Sequence, residues 1–205
     1  MKIIVLHLLS SNRFSGAENV AIQIISGFKE FDTIGLPEYD QEFVWDTYKK
    51  TKPKSFSELV KFHGLTHGTN VWNENGEHLI EEDISFSELP TTRDDIMNDL
   101  IRVGVEREMA YTFSEKVRKG WLAKGRTSVE ELLPDVELAN LLDKWYSEYC
   151  SKIIYMFPKA HAVSYVYNDI RYMWFKKYYP KEFFEIAKGL EEEPERGKRC
   201  YQCYR

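Results

Sequence analysis

The feature that most constrains this chain is the spacing of its apolar residues from residue 41 onward. They recur every three to four positions in long blocks, which predicts helices over 41–50, 55–62, 92–103, 106–119 and 136–154. Thr92 followed by Asp95 is a capping pair at a helix start. The clearest helix runs over 158–178, where Pro158 suits the first position and Pro180 should end it. Its apolar stripe is Val163, Val166, Ile170, Met173 and Trp174; His161, Tyr165, Asn168 and Tyr172 make a separate polar-aromatic face. A short further helix is expected over 181–188. The stretch 67–89 is the least regular, and Asn73-Glu-Asn-Gly76 within it is a turn signal.

The two ends differ from this pattern. Residues 2–9 are a β-branched apolar run of the buried-strand kind, residues 10–16 are turn chemistry, and Val20, Ile24, Ile25 and Phe28 give 17–28 helical spacing. This is a single β-loop-α unit whose strand has no partner strand to satisfy its backbone groups. Residues 190–205 have no periodicity and carry Cys200 and Cys203 as a Cys-x-x-Cys tail, expected to be disordered. The fold class is therefore mainly α: a helical domain preceded by a β-loop-α unit and followed by that tail.

Composition narrows the function classes. With 205 residues the chain can bury a real core. Its 15% aromatic share, with thirteen tyrosines and twelve phenylalanines, argues against global disorder. The net charge of −5 does not mark a nucleic-acid binder, but the average hides a basic stretch. Between 152 and 181 stand Lys152, Lys159, Arg171, Lys176, Lys177 and Lys181 against Asp169 alone, whereas Glu191-Glu-Glu193 makes the tail acidic. No apolar run reaches the roughly 18 residues of a membrane span. The apolar run at the start is short, interrupted by His7 and without a small-residue cleavage site, so it reads as a strand and not a signal peptide. Three cysteines do not make a disulfide framework, and the expected location is cytoplasmic.

Three groups of residues carry candidate chemistry. The start of the long helix, Phe157-Pro-Lys-Ala-His161, offers amide donors and positive charge to a phosphate. Lys159 adds a full charge, His161 a second donor, and Tyr165 one turn on places a ring where a base or sugar would lie; the plainer reading is a solvated lysine and a core histidine. Lys52 and Lys54, displayed beside Pro53, and His67 in the Thr66-His-Gly-Thr-Asn70 turn form the second group, against a plain linker and turn. Arg93 with Lys116, Arg118 and Lys119 is the third, against the wet face of a helix.

Six motifs, in order, carry a family resemblance. They are Thr33-Ile-Gly-Leu-Pro-Glu38 leading into Glu42-Phe-Val44; Thr51-Lys-Pro-Lys-Ser-Phe-Ser-Glu-Leu-Val60; Gly64-Leu-Thr-His-Gly-Thr-Asn-Val-Trp72; Thr92-Arg-Asp-Asp-Ile-Met97; Glu115-Lys-Val-Arg-Lys-Gly120; and Tyr155-Met-Phe-Pro-Lys-Ala-His-Ala162. Over about 31–180 the chain resembles the fingers region of the PolC-type DNA polymerase III alpha subunit. The resemblance implies a helical fingers-like domain whose partners are a deoxynucleoside triphosphate, carried with magnesium, and DNA. The implied phosphate contacts are Lys159, His161, Tyr165, Lys52, Lys54, His67 and Arg93. Asn70 stands where the family usually has Asp. The family holds its two catalytic metals on a palm motif, Pro-Asp-x-Asp-x-Asn-Phe, which this sequence lacks; Pro134-Asp-Val-Glu-Leu138 is a look-alike that reads as a helix start. No turnover is expected from this chain alone, and helix faces that a whole polymerase would cover make self-association an expectation.

Two shorter resemblances flank the first. Residues 1–28, with Ser15-Gly-Ala-Glu18 after the strand, resemble the opening of a GT-B glycosyltransferase. Residues 181–205, with Lys188-Gly-Leu-Glu-Glu-Glu-Pro-Glu-Arg-Gly-Lys-Arg-Cys-Tyr-Gln-Cys203, resemble the second cysteine motif of the QueH-type epoxyqueuosine reductase. That implies an iron-sulfur cluster on Cys200 and Cys203, but only if another chain completes the thiolate set, because Cys150 is the sole further cysteine. His63 and His67 with the two tail cysteines are a weaker zinc alternative, since Gly64 interrupts the histidine spacing. The expected organisation is a mosaic of 1–30, 31–180 and 181–205.

Overall fold

A computed structural model describes residues 39, 41–134 and 143–191. The β-loop-α unit, the Cys-x-x-Cys tail and most of the Pro134 look-alike lie outside the described residues. Within them the chain is helical: α1 (Glu42–Thr51), α2 (Phe56–His67), α3 (Glu77–Glu81), α4 (Arg93–Arg102), α5 (Arg107–Arg118), α6 (Val129–Leu132), α7 (Lys144–Lys152), α8 (Lys159–Tyr178) and α9 (Pro180–Glu191). Among the described residues there is no strand, only one antiparallel bridge between Thr69 and Tyr155.

Helix starts follow local chemistry. Thr92 Oγ1 accepts the Asp95 amide while Asp95 Oδ2 accepts the Thr92 amide at 3.0 Å, the reciprocal cap the sequence predicts for α4. Ser128 and Glu131 repeat it at α6, and Ser55 accepts the Glu58 amide at α2. α1 closes on Lys52, whose left-handed backbone (φ 44°) lets its amide reach the Tyr48 carbonyl at 2.9 Å.

α2 runs five residues beyond the predicted end, straight through Gly64. The glycine is there for approach, not for a break. A Cβ at this position would lie 2.5 Å from the Thr91 carbonyl oxygen, so its absence lets α2 rest directly on the segment entering α4. The irregular 67–89 stretch holds a turn at Trp72–Gly76, where Glu74 takes φ 57°, and then the short α3. The buried Asn75 amide holds that turn by donating to the Asn70 and Tyr149 carbonyls.

Two hydrophobic cores meet along α2. Leu65 joins Trp72, Leu89, Ile96, Leu100, Phe113, Val117, Tyr149 and Met156 in one, which packs α4 and α5 against α7. Leu59, Val60 and Phe62 join Val44, Tyr48, Val166, Met173 and Phe183 in the other, which packs α1, α2, α8 and α9. The buried face of α8 is Ala162, Val166, Asp169 and Met173, rotated by about one position from the predicted stripe; Val163 is exposed. Ala162, fully buried, takes the place in the second core that the sequence gives to Val163. Pro180 ends α8 as expected, but it also opens α9 after a single non-helical residue, Tyr179.

Candidate functional site

Three helix ends converge on one patch. The Thr69–Tyr155 bridge ties the exit of α2 to the segment before α8: the Thr69 amide donates to the Tyr155 carbonyl at 2.8 Å. The Arg93 amide donates to the Phe157 carbonyl at 3.0 Å, which fixes the start of α4 beside the start of α8. The C-terminus of α2 and the N-termini of α4 and α8 therefore share one surface.

A stack of rings crosses this patch. His67 lies face to face on His63, with centroids 4.1 Å apart, and His63 faces Tyr165 at 5.3 Å. Tyr165 leans on His161 at 4.5 Å, and His161 lies flat on Phe157 at 4.5 Å. Tyr155 meets Phe157 edge-on and has the Arg118 guanidinium over its ring. His63 is 1% exposed, and its Nδ1 is buried without a hydrogen-bond partner. Burial, reinforced by His67 and His161, pushes the His63 imidazole well below its ordinary range, so it is neutral.

A charge lattice borders the stack. The Lys159 amide donates to Asp94 Oδ2 at 2.7 Å, and its ammonium reaches Asp95 Oδ1 at 3.2 Å. Arg93 spans Asp94 at 2.7 Å and Glu115 at 3.1 Å. Glu115 also accepts from Arg118 and Lys119, both at about 3 Å. Partial burial alone would raise Glu115, but donation from Arg118, Arg93 and Lys119 outweighs it and brings the carboxyl down to about 2. Partial burial also opposes ionisation of Asp94, and the Lys159 amide and the Arg93 guanidinium overcome it, holding that carboxyl below its usual value. Four cations thus share three carboxylates, which leaves the patch net positive.

Of the residues singled out in the sequence, the fold brings together Lys159, His161, Tyr165, His67 and Arg93. Lys52 and Lys54 stand beyond the other end of α2, about 18 Å away by the length of a 12-residue helix. Lys54 is held there by its own amide, which donates to Glu58. Lys116 turns away to cover the Trp121 ring at 3.1 Å. Sequence reasoning gave His63 no part in this site and did not see Asp94, Asp95 and Glu115 as its anionic half. The signals were the four-residue spacing of His63 and His67, which places both on one helix face, and the acidic residues directly after Arg93.

Among the described residues no group of three or more histidine, cysteine or acidic side chains is arranged to hold a metal ion. Cys200 and Cys203 lie outside them. Cys150 is fully buried in the first core, where burial pushes its thiol far up.

Fold and site define a helical module with two abutting cores and a ring-and-cation patch where three helix ends meet. The family model for the bacterial DNA polymerase III alpha subunit finger domain matches residues 21–130, and this chain belongs to that family. It is 42% identical over 174 residues to the PolC-type DNA polymerase III of Listeria welshimeri, and 41% identical over 173 residues to that of Thermotoga maritima. Each alignment covers 83% of this chain and 12% of the relative, so the chain spans about an eighth of the length of these polymerases. A stretch of that extent reaches into α8 wherever it begins. The model for epoxyqueuosine reductase QueH matches residues 146–205, which include both tail cysteines. No helix among the described residues is long and apolar enough to cross a membrane.

Proposed function

We propose that this chain acts as a PolC-type finger segment that binds the phosphates of a deoxynucleoside triphosphate or of DNA and does not turn over alone. The observation that carries this reading is the convergence of Lys159, His161, Tyr165, His67 and Arg93 on one patch at the start of α8. Lys159 has 42% of its side chain exposed, and the Asp95 contact uses one of its three donors, so a phosphate can add to it. A triphosphate would take over the donors that Asp94 and Asp95 now engage, and its greater charge favours that exchange. The partly exposed Tyr165 and His161 border the place that a base or sugar would take. Magnesium would arrive on the nucleotide as part of the ligand. Lys52 and Lys54, at the far end of α2, suit DNA phosphates further along a strand. Titration of a fluorescent deoxynucleoside triphosphate, with magnesium, into the purified chain tests this. Saturable binding that Lys159→Ala weakens about tenfold supports it; binding equal in wild type and Lys159→Ala refutes it.

A second reading rests on the QueH match over 146–205. In it Cys200 and Cys203 hold a metal or an iron-sulfur cluster completed by thiolates of another chain, as the buried Cys150 requires. Protein purified anaerobically would then contain iron and acid-labile sulfide, and Cys200→Ser would lose both. Iron-free protein would discard it. A rearranged, non-functional mosaic would give neither nucleotide binding nor iron.

A further inference from the structure

Asn75 and Gly76, the only Asn-Gly pair in the sequence, stand in a turn that the phosphate patch does not use. Such a pair is chemically reactive, because a glycine amide nitrogen, unhindered by a side chain, can attack the side-chain carbonyl carbon of the asparagine before it. In the folded chain every group that this step needs is held elsewhere. Asn75 is 2% exposed, and its side-chain amide donates to the Asn70 carbonyl at 2.9 Å and to the Tyr149 carbonyl at 3.0 Å. The Gly76 amide donates to the Val71 carbonyl at 3.1 Å. Asn73 and Glu74 leave helical dihedrals, but Asn75 and Gly76 keep them, which turns the Gly76 nitrogen away from the Asn75 side chain. Packing fixes the glycine: a Cβ there would lie 2.8 Å from the Val71 carbonyl oxygen and against Leu65 and Leu89 of the first core. The fold therefore requires the one neighbour that makes Asn75 reactive.

We propose that Asn75 is a modification site that the fold closes and unfolding opens, and that its product cannot rebuild the fold. Once the chain is open, the Gly76 nitrogen bonds to Asn75 Cγ and gives up its proton. The bond from Cγ to Nδ2 breaks, and that nitrogen leaves with the proton as ammonia. Water then opens the resulting cyclic imide. Opening at one carbonyl gives aspartate; opening at the other gives isoaspartate, whose main chain continues through the side-chain carbon. Water is the only co-reactant, and nothing is oxidised or reduced. Aspartate at this position has no amide hydrogen for the Asn70 and Tyr149 carbonyls, and folding would bury its charge against both oxygens. Isoaspartate lengthens the main chain between the turn and α3. Tyr149 is fully buried in the first core, and its hydroxyl donates to the Pro90 carbonyl, so the lost contact is one that ties the turn to α7. A chain that stays unfolded long enough is thereby marked and kept from returning, which makes its unfolding irreversible.

Incubation of the purified full chain in native buffer and in guanidinium chloride, at one mildly alkaline pH, followed by peptide mass mapping, tests this. In denaturant, conversion is expected at residue 75 ahead of Asn70 and Asn73, with both aspartate and isoaspartate formed. In native buffer it should be at least about tenfold slower, because it proceeds only through opened chain. Gly76→Ala, assayed in denaturant where its packing does not matter, should slow conversion at residue 75 several-fold. After dilution out of denaturant, size-exclusion chromatography should place unconverted chain at the native elution volume and converted chain away from it. Asn75→Asp, purified as expressed, should unfold at a lower temperature than wild type or fail to fold. Equal rates in the two buffers, conversion at Asn70 or Asn73 first, or an Asn75→Asp chain as stable as wild type would overturn the proposal.

Discussion

The amide of Lys159 donates to Asp94 Oδ2 at 2.7 Å, so a carboxylate from the first turn of α4 caps the first turn of α8. Asp94 thus occupies the place that an incoming anion would take. Asp94→Asn should lower stability by about 1 to 2 kcal/mol through the weakened cap and the loss of the Arg93 ion pair. The same change should tighten binding of magnesium-triphosphate, because a competing negative charge is gone. Chemical denaturation and nucleotide titration of the one variant check both. Loss of stability together with loss of binding would show that Asp94 holds the site open and does not compete for it.

Glu115 makes the fold sensitive to acid. Its carboxyl is held at about 2 in the folded chain against an ordinary value of 4.5, so the unfolded chain takes up the proton first. Its contribution is full above about pH 4.5 and is lost as pH falls towards 2. Glu115→Gln should cost roughly 1 to 3 kcal/mol at neutral pH, since it leaves Arg93 and Arg118 short of their shared partner. It should also flatten the loss of stability between those two values. Urea denaturation at a series of pH values reads both effects; a parallel downward shift with the same acid slope would contradict the assignment.

His63 acts in a higher pH window. Its folded pKa lies well below the ordinary 6.5, so below that pH the unfolded chain binds a proton that the folded chain refuses. Stability should therefore fall as pH drops from about 6.5, well before Glu115 responds. His63→Phe keeps a flat ring between His67 and Tyr165 and removes the buried nitrogen that has no partner. It should change neutral-pH stability by less than about 1.5 kcal/mol and abolish the loss that begins near 6.5. Persistence of that loss in His63→Phe would place the proton on another group.

Gly64 is needed for the contact between α2 and the entry to α4. Gly64→Ala puts a methyl group 2.5 Å from a backbone oxygen that cannot rotate away. Despite alanine's better helix propensity, the variant should be destabilised by roughly 1 to 3 kcal/mol. A variant as stable as wild type would mean that α2 can lift from Thr91 at no cost.

The legible and illegible parts of this chain divide on physical grounds. The helices over 42–51, 93–102, 107–118 and 159–178 were predicted within a residue or two, because spacing and caps such as Thr92–Asp95 act locally. The end of α2 was misplaced because Gly64 answers to Thr91, twenty-seven residues away, and no local signal records that contact. The buried face of α8 was misjudged for a related reason: Val163 and Ala162 are both apolar, and only the packing partner chooses between them. At the site, Lys159 and Arg93 stand out in the sequence because cations are strong chemical signals, but the sequence puts them in separate groups and joins Arg93 to Lys116, which covers Trp121 instead. Their pairing with Asp94, Asp95 and Glu115 was not visible, because it depends on how three helix ends converge.

Nucleotide binding at the start of α8 is the property on which the proposed function rests. Thermal unfolding of the purified chain, with and without a deoxynucleoside triphosphate and magnesium, tests this most directly. One cooperative transition is expected, which the ligand shifts upward and which it shifts less in Lys159→Ala. A transition indifferent to ligand in the wild-type chain would contradict it, and would leave the polymerase relationship as ancestry without a working site.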